Sequence, residues 1–124
     1  MSYFIESTRN TPTINFSSDN GILEISGRSM PENTRKFYDP IIAWLQNFQP
    51  ESSKEISLTI NLSYLNTSST IAMLEILKTF AKLKENGNSI KVLWYYEKYD
   101  EDMKMAGEDI SSISGLDFEY VEEE

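Results

Sequence analysis

The chain has no histidine and no cysteine among its 124 residues. It therefore has no Ser-His-Asp triad, no thiol nucleophile and no ordinary zinc site, because each of these needs an imidazole or a thiolate. A disulfide framework is excluded for the same reason. Any catalysis would rest on carboxylates, lysines or hydroxyls alone, so an enzyme is the less favoured class of protein.

The sequence also has no apolar run close to the roughly 20 residues of a membrane span. Its first six residues, Met-Ser-Tyr-Phe-Ile-Glu, lack the basic and apolar regions of a signal peptide. Neither of the common glycine-rich phosphate-binding loops occurs. We therefore expect a cytoplasmic protein that does not bind a membrane and uses no nucleotide or other cofactor.

Basic residues are scarce near the C-terminus. The formal net charge is -9, and residues 97–124 carry 11 acidic and two basic side chains. Nucleic acids and anionic membranes need clustered Lys and Arg, so neither is an expected partner. The acidic end is interpreted as a solvated face, although it is also compatible with docking on a basic protein surface. Five of its acids do not have the spacing of a calcium loop, so no metal is expected. These acids are Asp100, Glu101, Asp102, Glu108 and Asp109.

What is present suffices for one domain, residues 1–124, because 40% of the residues are hydrophobic and 12% are aromatic. Alternating apolar residues predict strands at 56–62 and 116–120, and the apolar segment 90–96 predicts a central strand. Residues 3–5 and 13–16 are interpreted as short extended pieces, and residues 22–26 as a strand that pairs with 13–16. Asn20-Gly21 predicts a hairpin turn between 13–16 and 22–26. Helical spacing predicts helices at about 33–48, from 71 to about 85, and after a cap at Asp100. Residues 122–124 are expected to be a frayed tail.

The first predicted helix contains Pro40. Proline removes a backbone hydrogen bond in a helix interior but fits well at the first helical position. The pattern therefore predicts either a kink at Pro40 or a second helix that Asp39 caps.

The predicted element order is β-β-α-β-α-β-α-β, an α/β (α+β) fold. Strands that alternate with helices pair in parallel through right-handed crossovers, and the hairpin adds antiparallel pairing. The sheet is therefore expected to be mixed. One face of the 56–62 strand is polar, which favours helices gathered mainly on one side of the sheet. This is the architecture of STAS-like domains.

The stretch Tyr64–Thr70 lies where the 56–62 strand gives way to a helix. Five consecutive small polar residues, Asn66, Thr67, Ser68, Ser69 and Thr70, occupy this junction. A helix N-terminus exposes free N–H groups and the positive end of the helix dipole. The hydroxyls there can cap the helix, which is the favoured local interpretation, or they can receive a phosphate.

Four ordered segments of the chain resemble the SiaC family of bacterial regulatory phosphoproteins. The segments are 27–33 (Gly-Arg-Ser-Met-Pro-Glu-Asn), 44–45 (Trp-Leu), 64–69 (Tyr-Leu-Asn-Thr-Ser-Ser), and 94–96 (Trp-Tyr-Tyr) followed by 100–103 (Asp-Glu-Asp-Met). The resemblance spans about residues 10 to 120 and implies a non-enzymatic, STAS-like protein that works like an anti-anti-sigma factor.

The resemblance also implies a signalling role. A dedicated kinase phosphorylates one threonine of such proteins, and a PP2C-type phosphatase removes the phosphate. The unphosphorylated protein binds and activates a diguanylate cyclase, which raises cyclic di-GMP and promotes aggregation and biofilm formation. The family threonine follows the asparagine of a Leu-Asn-Thr-Ser-Ser motif, which corresponds to Thr67 here. Ser68 and Ser69 are implied as docking residues or as alternative sites of modification, and Asn66 and Thr70 as docking residues beside them.

One position departs from the family pattern, which has a lysine soon after the serines, near position 71, where this chain has Ile71. The output partner therefore need not be a diguanylate cyclase. Two other functions remain open at this point. One is a small enzyme or ligand-binding domain that uses Asn66–Thr70 as an anion cradle, and the other is a scaffold that is never modified.

Overall fold

The computed structural model describes residues 2–51 and 54–124. The strands are β1 (Ser2–Ile5), β2 (Thr13–Ser17), β3 (Ile22–Ser29), β4 (Glu55–Leu65), β5 (Ser89–Glu97) and β6 (Phe118–Glu123). The helices are α1 (Thr34–Gln46), α2 (Thr67–Glu85) and α3 (Glu101–Ser114). From Thr13 onward this is the predicted element order. The extended piece at residues 3–5, which the predicted order did not count, is also a strand.

All of these strands form one six-stranded sheet in the order β1-β2-β3-β4-β5-β6. β1, β2 and β3 pair antiparallel, whereas β3, β4, β5 and β6 pair in parallel. The turn at Asn20-Gly21 joins β2 to β3 as predicted, and Gly21 adopts a positive φ of 64°. A Cβ at Gly21 would lie 2.7 Å from the Glu55 carbonyl oxygen, so only glycine fits this turn. The predicted mixed sheet is confirmed.

The helices cover one face of the sheet. Each strand from β3 to β6 lies beside the strand before it, so successive right-handed crossovers place all connecting helices on the same side. In that layer α2 lies between α1 and α3 and contacts both. Ile56, Leu58 and Ile60 of β4 are fully buried in the core, while the residues between them are only partly buried. The prediction of helices gathered on one face is confirmed.

The first helix is continuous although Pro40 lies inside it. Asn33 caps its N-terminus, because its Oδ1 accepts the N–H of Lys36 at 3.1 Å. Asp39 caps no second helix, since its carboxylate pairs with Arg35 at 2.6 Å, one turn earlier. The alternative of two helices is therefore wrong, and α1 tolerates the missing N–H of Pro40.

The third helix packs closely on β5. Gly107 of α3 leaves room for Trp94, since a Cβ at this position would lie 2.6 Å from the indole ring. The buried Trp94 donates from Nε1 to the Met103 carbonyl at 3.0 Å, which fixes the ring against α3. Asp100 caps α3 as predicted, because its Oδ1 accepts the N–H of Met103 at 3.0 Å.

The last strand is longer than expected. Glu122 pairs with Tyr96 and Glu123 pairs with Glu97, so β6 continues almost to the C-terminus. The N–H of Lys98 also donates to the Glu123 carbonyl at 2.6 Å. The predicted frayed tail from residue 122 is therefore wrong, because parallel pairing with β5 holds this acidic segment in the sheet.

The carboxyl ends of the parallel strands lie at one edge of the sheet. There the N–H of Asn66, just after β4, donates to the carbonyl of Ser29 at the end of β3, at 3.1 Å. In open α/β sheets, ligands commonly bind beyond the carboxyl ends of the strands. The fold therefore brings the end of β3 next to the polar stretch that leads into α2.

Candidate functional site

The candidate site is the β4-to-α2 junction, Asn66–Thr70. Asn66 lies between β4 and α2 and is the N-cap of α2, with an extended backbone (φ -80°, ψ 170°). Its Oδ1 accepts the N–H of Ser69 at 2.8 Å. Its carbonyl accepts the N–H of Thr70 at 3.0 Å and the Thr70 Oγ1–H at 3.1 Å. Asn66 and Thr70 therefore perform the capping role that local reasoning favoured.

Thr67 is the first residue of α2, and its side chain is exposed. Within residues 2–51 and 54–124 its hydroxyl has no hydrogen-bond partner. Because the cap residue already binds the N–H groups of Ser69 and Thr70, the free amides of this helix end are those of Thr67 and Ser68. A negative charge on the Thr67 hydroxyl would therefore be well received by the helix N-terminus.

Ser68 is also exposed, but its hydroxyl is engaged. Its Oγ lies 2.8 Å from Thr34 Oγ1 of α1 and donates to Asn66 Oδ1 at 3.4 Å. The next residue of α1, Arg35, forms an ion pair with Glu75 of α2 at 2.7 Å. The Thr34–Ser68 contact thus joins the N-terminal turns of α1 and α2 beside Thr67, and the Arg35–Glu75 pair joins the two helices about two turns further along α2.

Ser69 lies beneath the surface, where Ser29, Tyr38 and Ser69 are all fully buried. The Ser29 Oγ–H donates to Ser69 Oγ at 2.8 Å, and Ser29 Oγ lies 2.5 Å from Tyr38 Oη. We call these three residues the hydroxyl cluster, which joins β3, α1 and α2. Burial in this cluster raises the pKa of Tyr38 to about 12, because the phenolate is disfavoured away from water.

The sequence predicted Ser69 as a docking residue or an alternative site of modification. In the structure its hydroxyl is buried and bound to Ser29, so neither a kinase nor a partner reaches it in this conformation. Helical spacing in the sequence could have indicated this burial, since residue 69 lies on the same helical face as Met73 and Ile76. The junction hydroxyls that the structure brings to the surface are those of Thr67 and Ser68.

Two exposed apolar side chains belong to the elements that meet at the junction, Tyr64 on β4 and Ile71 on α2. Tyr64 is 44% exposed, and Ile71, one turn after Thr67 on the same helical face, is 53% exposed. The Arg28 guanidinium lies 5.4 Å from the centre of the Tyr64 ring, which favours cation–π attraction. The apolar spacing that predicted α2 starts at Ile71, but the buried face of α2 passes through positions 69, 72, 73 and 76 and leaves Ile71 exposed. Ile71 is therefore the exposed apolar side chain on the same helical face as the unpartnered Thr67 hydroxyl.

Of two concavities of the described surface, one is distant from the junction and one is lined by residues on either side of Ser29. One, of about 800 Å³, lies between α1 and α2 towards their C-terminal ends. The other, of about 590 Å³, is lined by Arg9, Asn10, Arg28 and Met30. None of the residues Asn66–Thr70 lines either concavity. The junction therefore belongs to neither of these concavities, whereas a ligand site or an enzyme usually uses a convergent pocket.

Acidic side chains do not gather elsewhere in a way that suggests a metal centre. In the part of the chain that the structure describes, no three Asp or Glu residues are grouped closely enough to hold a metal ion. Asp100, from the acidic segment, is occupied as the cap of α3. None of the described helices combines the length and the apolar character needed to cross a membrane.

Comparison with known proteins identifies the family. A model of the SiaC family regulatory phosphoproteins matches residues 5–123. The chain belongs to the SiaC family. An uncharacterized protein of Pseudomonas aeruginosa is 32% identical to it over 97 residues, which are 78% of this chain and 77% of that protein. The resemblance inferred from the sequence motifs is confirmed, and the chain is a member of a family of regulatory proteins.

Solved structures agree with this assignment. The chain is similar to one in the crystal structure of diguanylate cyclase SiaD in complex with its activator SiaC from P. aeruginosa, with a TM-score of 0.88 and 27% identity. That match covers 98% of this chain and 99% of the other. The chain is also similar to apo-SiaC from P. aeruginosa, with a TM-score of 0.83, 26% identity, and coverage of 100% and 99%. The STAS-like mixed sheet is thus the SiaC fold.

Proposed function

We propose that the protein is a non-enzymatic, cytoplasmic signalling phosphoprotein, and that reversible phosphorylation of Thr67 controls its binding to another protein. The observation that carries this proposal is the state of the Thr67 hydroxyl, which is exposed and has no partner within residues 2–51 and 54–124. The hydroxyls of Ser68, Ser69 and Thr70 are all engaged in hydrogen bonds. Thr67 is therefore the residue of the junction best suited to a kinase.

A phosphate on Thr67 would add about 1.5 to 2 negative charges at neutral pH. The free amides of Thr67 and Ser68 and the helix dipole favour this charge, so α2 keeps its structure after phosphorylation. Phosphorylation instead weakens the binding of a partner that covers Thr67 and Ile71, because burial of an unpaired phosphate costs several kcal/mol. Phosphorylation therefore releases the partner. A protein kinase adds the phosphate, and a PP2C-type phosphatase removes it.

The output partner is a diguanylate cyclase in this proposal. The support is the similarity to SiaC, which is an activator of the diguanylate cyclase SiaD. The unphosphorylated protein would activate the cyclase, raise cyclic di-GMP and promote aggregation and biofilm formation. Ile71 presents an apolar side chain where the family pattern has a lysine, so the cyclase surface that contacts it is expected to be apolar.

The other polar residues of the junction support the switch in different ways. Asn66 and Thr70 hold the start of α2 in place, and Ser69 fixes it to β3 through Ser29. Ser68 is the neighbour that contacts the partner directly, because it is exposed beside Thr67. An anion cradle at Asn66–Thr70 is not favoured, since these residues line neither the 800 Å³ nor the 590 Å³ concavity, and their side chains other than Thr67 already bond within the protein.

The proposal is tested by intact-mass measurement and peptide fragmentation on protein purified from its native host over several growth conditions. We expect a fraction with the mass of one added phosphoryl group, assigned to Thr67 and absent from a Thr67→Ala variant. The matched control is Ser68→Ala, which removes the neighbouring exposed hydroxyl and keeps the modification. A phosphate found on Ser68 would contradict the assignment to Thr67. A chain that is never phosphorylated would favour the unmodified scaffold.

A further inference from the structure

A groove between the two helices that flank the junction is not explained by the switch at Thr67. It has a volume of about 800 Å³ and lies towards the C-terminal ends of α1 and α2. We call it the α1–α2 groove. Its lining residues come from α1, α2 and the segments that follow them, and the ones that matter here are Ile42, Leu45, Phe48, Lys78, Lys82 and Leu83.

The floor of the α1–α2 groove is partly apolar and partly polar. Ile42, Leu45 and Phe48 line it and belong to the hydrophobic core, and the half-buried Leu83 lines it from α2. The three core side chains are almost fully covered, so they leave a small apolar area at the base of the groove, and Gln46 and Gln49 line it as well. A groove of this size between two helices is a shape that receives the apolar face of an amphipathic helix.

The rim of the groove on α2 is basic. Lys78 and Lys82 line it one helical turn apart, and both are exposed. In the residues that the structure describes, neither lysine has a carboxylate partner. Glu75 also lines the groove, but Arg35 already neutralises its carboxylate at 2.7 Å. The groove therefore offers two unpaired positive charges in a chain whose net charge is -9.

We propose that the α1–α2 groove binds an acidic amphipathic helix of the output partner, with apolar residues on the floor and carboxylates paired to Lys78 and Lys82. Opposite charges at the rim set the orientation and the choice of partner, and the apolar part of the floor adds to the affinity. The inference rests on the proposed function for the existence of a protein partner, and it adds where that partner docks and which chemistry it presents.

The position of the groove also sets the length of the partner helix. Lys78 lies 11 residues after Thr67 on the same face of α2, which is about 16 Å along the helix. Charges at this separation are largely screened in water, where the Debye length is about 8 Å at physiological salt. A phosphate on Thr67 therefore affects the partner helix only if that helix extends from Lys78 past Ile71 towards Thr67. We infer a bound segment of at least about three helical turns.

The first test uses a synthetic helical peptide of about 18 residues with a leucine face flanked by glutamates, and the same peptide with lysines in place of the glutamates. Because the chain has no cysteine, a Gln46→Cys variant carries one fluorophore at the groove. We expect the glutamate peptide to bind at least about tenfold more tightly than the lysine peptide. A combined Lys78→Glu and Lys82→Glu variant should reverse this preference.

The matched control is a combined Lys36→Glu and Lys91→Glu variant, which makes the same change in net charge on residues outside the groove and should keep the preference. A preference that survives reversal at Lys78 and Lys82, or one that the control variant also loses, would overturn the inference. Equal binding of the two peptides would overturn it as well. Far-ultraviolet circular dichroism of each variant confirms that the fold is intact.

A second test separates this inference from the proposed function. The affinity of the cognate diguanylate cyclase is measured for the variant reversed at Lys78 and Lys82 and, separately, for Thr67→Asp. We expect each change to weaken binding at least about tenfold. If only Thr67→Asp weakens binding, the groove is not the docking site although the switch stands. If only the lysine reversal does so, the groove is the docking site and the proposed switch fails.

Discussion

The hydroxyl cluster gives a sharp test of how the junction is built. The variant is Ser69→Ala, which removes the acceptor of the Ser29 O–H while the Tyr38 hydroxyl stays in place. Ser29, Tyr38 and Ser69 are fully buried, so no solvent water reaches the position that the Ser69 oxygen leaves. The substitution therefore leaves one buried donor without its partner.

The expected loss follows from two opposing effects. A buried donor left unpaired costs about 1 to 3 kcal/mol, whereas the higher helix propensity of alanine returns up to about 0.5 kcal/mol. The free energy of unfolding should therefore fall by about 1 to 2 kcal/mol. For a protein of this size this lowers the urea midpoint by roughly 0.5 to 1 M. Ser68→Ala and Thr67→Ala should stay within about 0.5 kcal/mol of wild type, because both side chains are exposed.

The assay is urea unfolding followed by the fluorescence of Trp44 and Trp94, with the three single variants compared under one set of conditions. Ser68→Ala is the matched control, since it removes the same group one position earlier. If Ser69→Ala unfolds at the same urea concentration as Ser68→Ala, the hydroxyl cluster does not stabilise the junction and the structural role assigned to Ser69 is wrong.

Two further predictions concern stability. Above about pH 10 the unfolded chain releases the Tyr38 proton, while the folded protein keeps it until about pH 12, so stability falls as the pH rises through this window. Urea unfolding at increasing pH should show a steeper decline for wild type than for Tyr38→Phe, and parallel curves would contradict the burial of this hydroxyl. Gly107→Ala should lower the free energy of unfolding by about 1 to 2 kcal/mol, because overpacking against Trp94 exceeds the gain in helix propensity. A thermal midpoint at or above that of wild type would contradict the close packing of α3 on β5.

Much of the fold follows from local patterns in the sequence. Alternation in β4 and helical spacing in α2 reflect burial of one face, so these elements and the mixed sheet could be predicted. Asn33, Asn66 and Asp100 cap helices because short polar side chains bond to free N–H groups, which is also a local effect. Whether Pro40 divides the helix depends instead on packing along the whole of α1, which is continuous in the structure.

The candidate site could be predicted only in part, because its details also depend on packing between distant parts of the chain. The polar run Asn66–Thr70 marked the junction, but its hydroxyls look alike in sequence. Burial of Ser69 depends on Ser29 and Tyr38, which lie 40 and 31 positions earlier in the chain. The exposure of Ile71 likewise depends on which face of α2 meets the sheet. Long-range packing therefore decides which hydroxyl is free, and a single sequence does not encode it locally.

The α1–α2 groove lay outside any sequence motif. Its floor residues Ile42 and Leu45 follow the ordinary apolar spacing of a core helix, and Lys78 and Lys82 look like solvated charges. The groove exists because α1 and α2 lie side by side on the sheet, which brings these residues together. Surfaces of this kind are properties of the packed helix layer and have no signature of their own in the chain.

The central claim is that a phosphate on Thr67 releases the protein partner. The most direct measurement is the dissociation constant of the complex with the cognate diguanylate cyclase, for protein phosphorylated at Thr67 alone and for unphosphorylated protein. Because an unpaired phosphate at the contact costs several kcal/mol, we expect binding to weaken at least about a hundredfold. Equal affinity of the two forms would contradict the account.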